Sequence, residues 1–276
     1  MRNPRIADRR DNMKDKREEW YDPQAKVSVT FVDVSAPAQE LARAHLSGPV
    51  SARYLAEALA AAALLGSETS LEDETVSLQM KCSGPLGGLN VECSSSGALR
   101  GYAEKKTLDD FDGAGAVKDS EVVGQRRYQI VRSVPGRVLS QGIASSLDEY
   151  LGSSLQRRAR IFVSAAVNDE VEVLSARGLM VEAMPDSGYD VGGLEAGNLS
   201  ASPRTILSRL GLRKAELKNA TALRFACRCS PERAAAIVGA LDEGERASMP
   251  EKIDVTCHMC GRTFTVAVRG DGGTAD

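Results

Sequence analysis

The sequence is poor in aromatic residues. Phe, Trp and Tyr make up 4% of its 276 residues, whereas hydrophobic residues of all kinds reach 42%. That share is sufficient for a core, which must then consist mainly of Ala, Leu and Val. A chain of this length suits one large domain, or a main domain with a smaller one.

A long apolar run is also missing. The longest run, residues 55–66, is interrupted by Glu57 and is shorter than the ~20 residues that a membrane-spanning helix needs. Residues 1–24 show no apolar segment typical of a secretory signal, and their acidic residues argue against a transit peptide. We therefore expect a cytoplasmic protein. In a reducing compartment, clustered cysteines are more often metal ligands or redox groups than structural disulfides.

The chain lacks an excess of positive charge as well. Its net charge of −3 at pH 7 argues against a protein that binds nucleic acid through overall charge. One basic cluster, residues 156–162, is typical of a solvated face. The sequence shows no nucleophile–base pair and no paired catalytic carboxylates, so we expect neither a nucleic-acid partner nor an enzyme.

The patterns that are present predict an α+β fold with helices and strands partly segregated. Alternating runs predict strands, and apolar spacing predicts helices. The strands are expected at 27–35, 75–82, 89–94, 99–104, 127–134, 159–167 and 178–185, and helices at 52–66 (capped by Ser51), 143–158 and 203–220 (broken at Gly211).

Changes in composition divide the chain further, because residues 186–203 are rich in Gly, Ser and Asp. We predict a sheet-and-helix N-terminal domain, a helical, metastable linker and a small C-terminal four-Cys zinc domain. The expected boundaries are a charged, disordered lead-in at 1–26, the N-terminal substrate-binding and dimerisation domain at 27–185, the linker at 186–224, the zinc-binding redox-switch domain at 225–270 and a tail at 271–276.

Four of the six cysteines form two short motifs. Cys227 and Cys229 are one residue apart, while Cys257 and Cys260 form a Cys-x-x-Cys motif followed by Gly261. Zinc prefers four tetrahedral ligands, and two such half-sites provide them. The glycine allows the chain to turn back beneath the metal. We therefore predict one Zn²⁺ held by these four cysteines, with His258 as the alternative for one ligand.

Other uses of these cysteines are less well supported. A thiol oxidoreductase would need a βαβ context around its Cys-x-x-Cys motif, and a zinc deaminase would need His-x-Glu and Pro-Cys-x-x-Cys. Neither pattern is present. A purely structural zinc site in a small domain remains the alternative.

The segment between the half-sites predicts a helix at 230–241, with Ser230 as its N-cap and Pro231 in its first turn. A unit of about 45 residues buries too little apolar surface to be stable alone. Structural zinc contributes on the order of 10–16 kcal/mol to such units. Oxidation of the thiolates would therefore remove both the metal and most of the stability of the unit.

The sequences "RFACRCSPERAAAIVGAL" and "KIDVTCHMCGRTFTV" resemble the zinc-binding end of the 33-kilodalton chaperonin family, the redox-regulated heat-shock holdases. The upstream segments "HLSGPVSARYLAEALAAAALLGSE", "VSLQMKCSGPLGGLNVECSSSGALRGYAE" and "ARGLMVEAMP" resemble that family in order and approximate spacing. Together these matches cover most of residues 30–268.

The resemblance implies a reduced, inactive form in which Cys227, Cys229, Cys257 and Cys260 hold zinc. It implies that oxidants such as peroxide or hypochlorous acid form Cys227–Cys229 and Cys257–Cys260 disulfides. Zinc would leave, the linker would unfold, and exposed apolar surface would hold unfolding client proteins without ATP. The active form is expected to be a homodimer.

Two features depart from the family. The charged lead-in is additional, and Leu155 stands where the family has the Glu of a Ser-Glu-Gln motif, followed by Arg157, Arg158 and Arg160. The altered stretch, Ser153 to Arg160, bears on the expected dimer contact.

Three further residues are assigned structural roles. If residues 75–82 and 89–94 form a hairpin, Cys82 is expected opposite Leu89 and away from Cys93, and both thiols are expected to be buried and inert. His45 is expected to be a structural histidine in the loop before a helix. The rival to the chaperone hypothesis is a constitutive zinc-ribbon module that binds RNA or the translation machinery.

Overall fold

The computed structural model describes residues 14–115, 117–195 and 197–268. The predicted tail and residues 1–13 of the predicted lead-in lie outside these ranges. Among the described residues, no helix is long and apolar enough to cross a membrane.

Two large sheets form the main body. The five-stranded sheet has the order β10–β1–β2–β9–β8, and the six-stranded sheet has the order β11–β5–β4–β3–β6–β7. The strands of the first sheet are β1 Lys16–Asp22, β2 Val27–Asp33, β8 Arg158–Val167, β9 Val173–Ala183 and β10 Glu216–Ala222. Those of the second are β3 Thr75–Cys82, β4 Gly88–Ser94, β5 Ala98–Ala103, β6 Arg126–Val134, β7 Arg137–Ala144 and β11 Arg224–Phe225.

The helix α2, Pro49–Leu65, contacts strands of both sheets and forms the centre of the main core. Its many alanines favour the helix and allow close approach to the strands. The predicted helix is confirmed, but it begins earlier, since Gly48 is its N-cap and Pro49 fits its first turn. Ser51 does not cap the helix; its hydroxyl donates to the Lys105 carbonyl over 2.7 Å.

The remaining helices are short. They are α1 Ser35–His45, α3 Asp119–Val122, α4 Leu147–Glu149, α5 Pro203–Arg209, α6 Pro231–Gly239 and α7 Glu243–Ser248. The predicted helix at 143–158 is confirmed for only half of its length, residues 147–154. Residues up to Ala144 belong to β7, and only α4 and a π-helical turn at Tyr150–Ser154 follow.

Two further expectations need correction. The described part of the predicted lead-in is ordered, because β1 pairs with β2 along its whole length and with β10 from Lys16 to Tyr21. The sequence of β1, KREEWYD, consists mostly of charged residues, yet Arg17 and Glu18 are buried. The predicted helix at 203–220 ends at Arg209, and residues 216–222 form β10 instead. Edge pairing with β1 overrides the local helical spacing there.

The five-stranded sheet buries both of its faces. On one face, Val32 and Met180 belong to the main core beneath α2. The opposite face, here called the outer face, carries Val27, Val29, Phe31, Leu179 and Val181. The outer face is covered by side chains of the predicted linker, residues 186–224: Val191, Leu199, Ile206, Leu207, Leu212 and Ala215.

The chain ends in a small unit, residues 225–268, which we call the cysteine unit. It contains α6, α7 and a two-stranded sheet of β12, Lys252–Thr256, and β13, Thr263–Ala267. Its own core has four buried apolar residues: Ala234, Val238, Val266 and Val268. The predicted α+β class is confirmed.

Candidate metal centre

The hairpin of β12 and β13 builds one half of the site. The Cys257 N–H donates to the Arg262 carbonyl over 2.8 Å, and the Gly261 N–H donates to the Cys257 carbonyl over 2.8 Å. Gly261 has a φ of +70°, a conformation that disfavours a side chain. A Cβ there would also lie 2.3 Å from the Ala44 carbonyl oxygen of α1. The predicted role of this glycine in the turn is confirmed.

The other half of the site is a short segment held at both ends. Before it, the Ala226 N–H donates to the Leu99 carbonyl of β5 over 3.0 Å. After it, the Ser230 hydroxyl accepts from the Arg233 N–H and caps α6, as predicted. Cys227 and Cys229 are thus fixed between a strand of the main body and a helix of the cysteine unit.

The fold brings the four predicted cysteines together. Their sulfur atoms all lie within 4.8 Å of one another. The Sγ atoms of Cys227 and Cys257 are 3.8 Å apart, and those of Cys229 and Cys260 are 3.4 Å apart. In a regular tetrahedron with sulfur ~2.3 Å from the metal, the sulfurs are separated by about 3.8 Å. All four cysteines are free thiols, so the donor set fits zinc.

The surroundings favour a thiolate at Cys227. Burial opposes the charged form, but the Cys229 backbone N–H and Arg100 outweigh it and lower the pKa of the Cys227 thiol to about 7. Burial raises the pKa of Cys229 and of Cys260. A divalent cation at the centre of the cluster would supply the positive charge that the remaining thiolates need.

A charged network links the site to the main body. The Arg100 Nη1 atom lies 3.7 Å from Cys227 Sγ, and its Nη2 atom lies 2.6 Å from a Glu92 carboxylate oxygen. Arg228 approaches the same oxygen at 3.8 Å. Sequence reasoning missed Arg100 and Glu92. Their signal was the pairing of two alternating strands, since Glu92 and Arg100 face each other across β4 and β5.

Neither histidine belongs to the cluster. His258 packs edge-on against Tyr102, with ring centroids 5.9 Å apart; the alternative that it replaces a cysteine finds no support in this geometry. His45 precedes α2 as expected, but it is the last residue of α1 and not part of a loop, and its Nε2 atom lies 2.9 Å from the Gly101 carbonyl oxygen. The predicted structural role of His45 is confirmed.

The two other cysteines lie elsewhere. Cys93 is buried in the main core and Cys82 is half-buried at the end of β3, and both are free. The expected hairpin register is wrong, because Met80 pairs with Leu89. The Cys82 backbone N–H instead donates a hydrogen bond to the Gly87 carbonyl. The two thiols are nevertheless not opposite each other, as expected, since Cys93 pairs with Val76.

The stretch from Ser153 to Arg160, which departs from the family pattern, packs against the main body. Leu155 packs against the main core. Arg157 forms ion pairs with Glu68 and, over 2.9 Å, with Glu182, while Arg160 pairs with Asp148 over 2.7 Å. These three ion pairs hold the segment against Glu68, β9 and α4.

The fold and site define an α+β protein with a C-terminal cluster of four cysteines that could hold a metal ion, docked on its main body. The family model described as "Hsp33 protein" matches residues 18–267. The chain belongs to the Hsp33 family.

Named relatives agree with this assignment. A 33 kDa chaperonin of Thermus thermophilus is 29% identical over 270 residues, covering 86% of this chain and 79% of the relative. A 33 kDa chaperonin of Symbiobacterium thermophilum is 28% identical, covering 83% and 86%. The crystal structure of a 33 kDa chaperonin, a heat shock protein 33 homologue, from Thermotoga maritima has the same fold. Its TM-score is 0.78, at 19% identity, over 92% of this chain and 94% of that one. The family and the four-cysteine cluster together support a redox-regulated chaperone.

Proposed function

We propose that this protein is a redox-regulated, ATP-independent holdase chaperone. In the reduced state Cys227, Cys229, Cys257 and Cys260 hold one Zn²⁺ and the protein is inactive. In the oxidised state the same cysteines form two disulfides, and the protein binds unfolding polypeptides and prevents their aggregation. The observation that carries the proposal is that a single thiol cluster joins the two halves of a unit with almost no core of its own.

The energetics favour a switch at this cluster. The cysteine unit buries only four apolar side chains in its own core, and each contributes roughly 1–3 kcal/mol on the usual area scale. Ordering more than 40 residues costs far more than that sum. When bound, the metal would supply folding free energy on the order of 10–16 kcal/mol. Loss of the four thiolates therefore leaves the unit without sufficient stabilisation.

The oxidation step needs two equivalents of a two-electron oxidant. Each disulfide forms as a pair of sulfurs loses two electrons; a peroxide accepts them and, with two protons, becomes two water molecules. We propose the pairs Cys227–Cys229 and Cys257–Cys260. Each pair closes a small ring within one half-site and makes no covalent link between the halves. The unit is thus released instead of being cross-linked.

Unfolding would then spread into the linker, residues 186–224. The linker enters the cysteine unit through β11, and its side chains cover the outer face of the five-stranded sheet. Removal of that cover would expose Val29, Phe31, Leu179 and Val181. A contiguous apolar surface of this kind is what a holdase offers to unfolded polypeptides.

The proposal extends to the setting in which the protein acts. We propose a cytoplasmic protein without enzymatic activity, whose partners are unfolded or partly unfolded clients. We also propose that the oxidised form is a homodimer that does not need nucleic acid or a membrane. The domain boundaries proposed are the N-terminal domain to residue 185, the linker at 186–224 and the switch unit from 225.

The test follows metal release and client protection together. The reduced protein is treated with peroxide at raised temperature while a chromogenic chelator reports zinc and light scattering reports a chemically unfolded client. One zinc released per chain, with scattering suppressed only afterwards, is expected. Cys227→Ser should lower the bound zinc from the start, whereas Cys82→Ser, outside the cluster, should behave as the parent protein.

Two outcomes would overturn the proposal. Zinc that stays bound under peroxide, or leaves without any gain in client protection, would mean that the cysteines only hold the fold. RNA binding that is independent of redox state and falls steeply with salt would instead support the zinc-ribbon alternative.

A further inference from the structure

The strand β5 lies at the edge of the six-stranded sheet proper, and its outward side is covered by the cysteine unit. The only strand beside β5 on that side, among residues 14–115, 117–195 and 197–268, is the two-residue β11. Arg224 and Phe225 of β11 run parallel to Ala98 and Leu99. The short turn around Met259 continues this cover.

The cover consists largely of backbone hydrogen bonds. The Gly97 carbonyl accepts from the Arg224 N–H over 3.0 Å, and the Leu99 carbonyl accepts from the Ala226 N–H over 3.0 Å. The Gly101 N–H donates to the Met259 carbonyl over 3.0 Å. The Gly101 carbonyl instead faces α1, with its oxygen 2.9 Å from the Nε2 atom of His45.

The covering residues are adjacent to the switch cysteines. Ala226 directly precedes Cys227, and Met259 lies between Cys257 and Cys260. An event that unfolds the cysteine unit must therefore remove these partners from β5. Gly97, Leu99 and Gly101 would then present unpaired backbone groups along an ordered strand, because β4 still holds β5 on its other side.

We propose that this uncovered edge of β5 is a binding site for an extended segment of an unfolding polypeptide, which pairs with it as an added strand. The inference rests on the proposed function and specifies one contact by which a client is held. The occupant is an extended backbone segment, and the chain's own residues 224–226 show the geometry that it adopts.

The chemistry of the edge suits such a client. An exposed strand edge is a template for pairing with another chain, and the hydrogen bonds of an added strand come from the main chain. Recognition of this kind depends little on side-chain identity. Unfolding proteins share no sequence, but all of them have free backbone N–H and C=O groups.

The first test is amide hydrogen exchange of the full-length protein with reduced, carboxymethylated α-lactalbumin as a permanently unfolded client without free thiols. Fragmentation resolves the Gly101 amide. That amide should exchange slowly in the reduced protein, rapidly after oxidation, and slowly again, by about tenfold or more, when client is added to the oxidised protein.

The second test uses synthetic peptides of residues 221–227 with Ser in place of Cys227 as competitors for the oxidised protein. A peptide N-methylated at Ala226 lacks the donor to Leu99 and should compete about tenfold more weakly, as the loss of one hydrogen bond predicts. N-methylation at Phe225, whose N–H lies between the two that bond to β5, is the matched control and should leave competition unchanged.

The outcomes separate the two proposals. If the oxidised protein does not suppress client aggregation, the proposed function fails. If it suppresses aggregation while Gly101 stays unprotected, or if both methylated peptides compete equally, the function stands and the β5 edge is not a client site.

Discussion

The Nη1 atom of the Arg100 guanidinium lies 3.7 Å from the Sγ atom of Cys227. Arg100 belongs to β5 of the main body, whereas Cys227 belongs to the four-cysteine cluster. The contact therefore places a fixed positive charge of the main body beside one of the four proposed metal ligands. Burial of Cys227 opposes ionisation, yet Arg100 and the Cys229 N–H lower the pKa of that thiol to about 7.

Arg100→Gln should make metal binding more sensitive to acid. A lowered thiol pKa stabilises the thiolate above that pKa, and the benefit is lost as the pH falls through it. Without Arg100 the Cys227 pKa rises, so protons displace the metal at a higher pH, by about half a unit. The measurement is zinc transfer to a chromogenic chelator along an acid titration.

The control for this prediction is Arg127→Gln, an exposed arginine of β6, which three strands separate from β11 and the four clustered cysteines in the sheet order. Its release midpoint should match that of the parent protein. Equal midpoints in all three proteins would show that Arg100 does not influence the site.

Tryptic peptide mapping can identify the disulfides of the oxidised protein. Cleavage after Arg228 separates Cys227, in residues 225–228, from Cys229, in residues 229–233, whereas Cys257 and Cys260 share the peptide 253–262. We expect the first two peptides to be joined to each other and the third to carry an internal disulfide.

This result is informative because the sulfur contacts of 3.8 and 3.4 Å in the structure join Cys227 to Cys257 and Cys229 to Cys260. Disulfides along those contacts would link peptide 253–262 to both others. They would also cross-link the two halves of the unit and constrain its unfolded state. Finding them in an active protein would contradict the proposed release.

Trp20 is the only tryptophan of the chain and reports on the linker. It is 5% exposed, and the Arg204 guanidinium of α5 lies 4.5 Å from its ring centroid. If oxidation unfolds the linker, Trp20 becomes solvated and its fluorescence shifts to longer wavelength. The shift should follow zinc release in time and reverse on reduction with zinc present. An unchanged spectrum in fully oxidised, active protein would exclude linker unfolding at α5.

Leu207→Ala should activate the protein with less oxidation. Leu207 is 2% exposed within the cluster that covers the outer face, and truncation of such a side chain costs about 2–4 kcal/mol. The docked linker then competes less well with the unfolded one. The peroxide concentration for half-maximal suppression of client scattering should fall several-fold.

Leu217→Ala is the matched control, because Leu217 is 46% exposed on β10. It should leave the peroxide dependence close to that of the parent protein. A Leu207→Ala protein that needs as much peroxide as the parent would show that the docking of α5 does not limit activation.

Local sequence patterns predicted several elements of the fold correctly. The strand at 75–82 is found with the same bounds, and the helix after Ser230 begins at Pro231 with the expected cap. These elements are specified within a few residues, by side-chain alternation or by a capping side chain. The helix predicted at 143–158 begins later than expected because residues 143 and 144 belong to β7, which pairs with β6, a partner that local spacing does not reveal.

The sequence by itself determined the chemistry of the site. Two short cysteine motifs specify four sulfur ligands, because a motif of three or four residues fixes the approach of its own two sulfurs. Only the tertiary structure decided what the site contacts. β1 and β10 join the predicted lead-in to the predicted linker, and β5 receives Ala226 and Met259. These are backbone contacts between segments that are far apart in sequence, and backbone groups are the same in every residue, so no side-chain pattern records them.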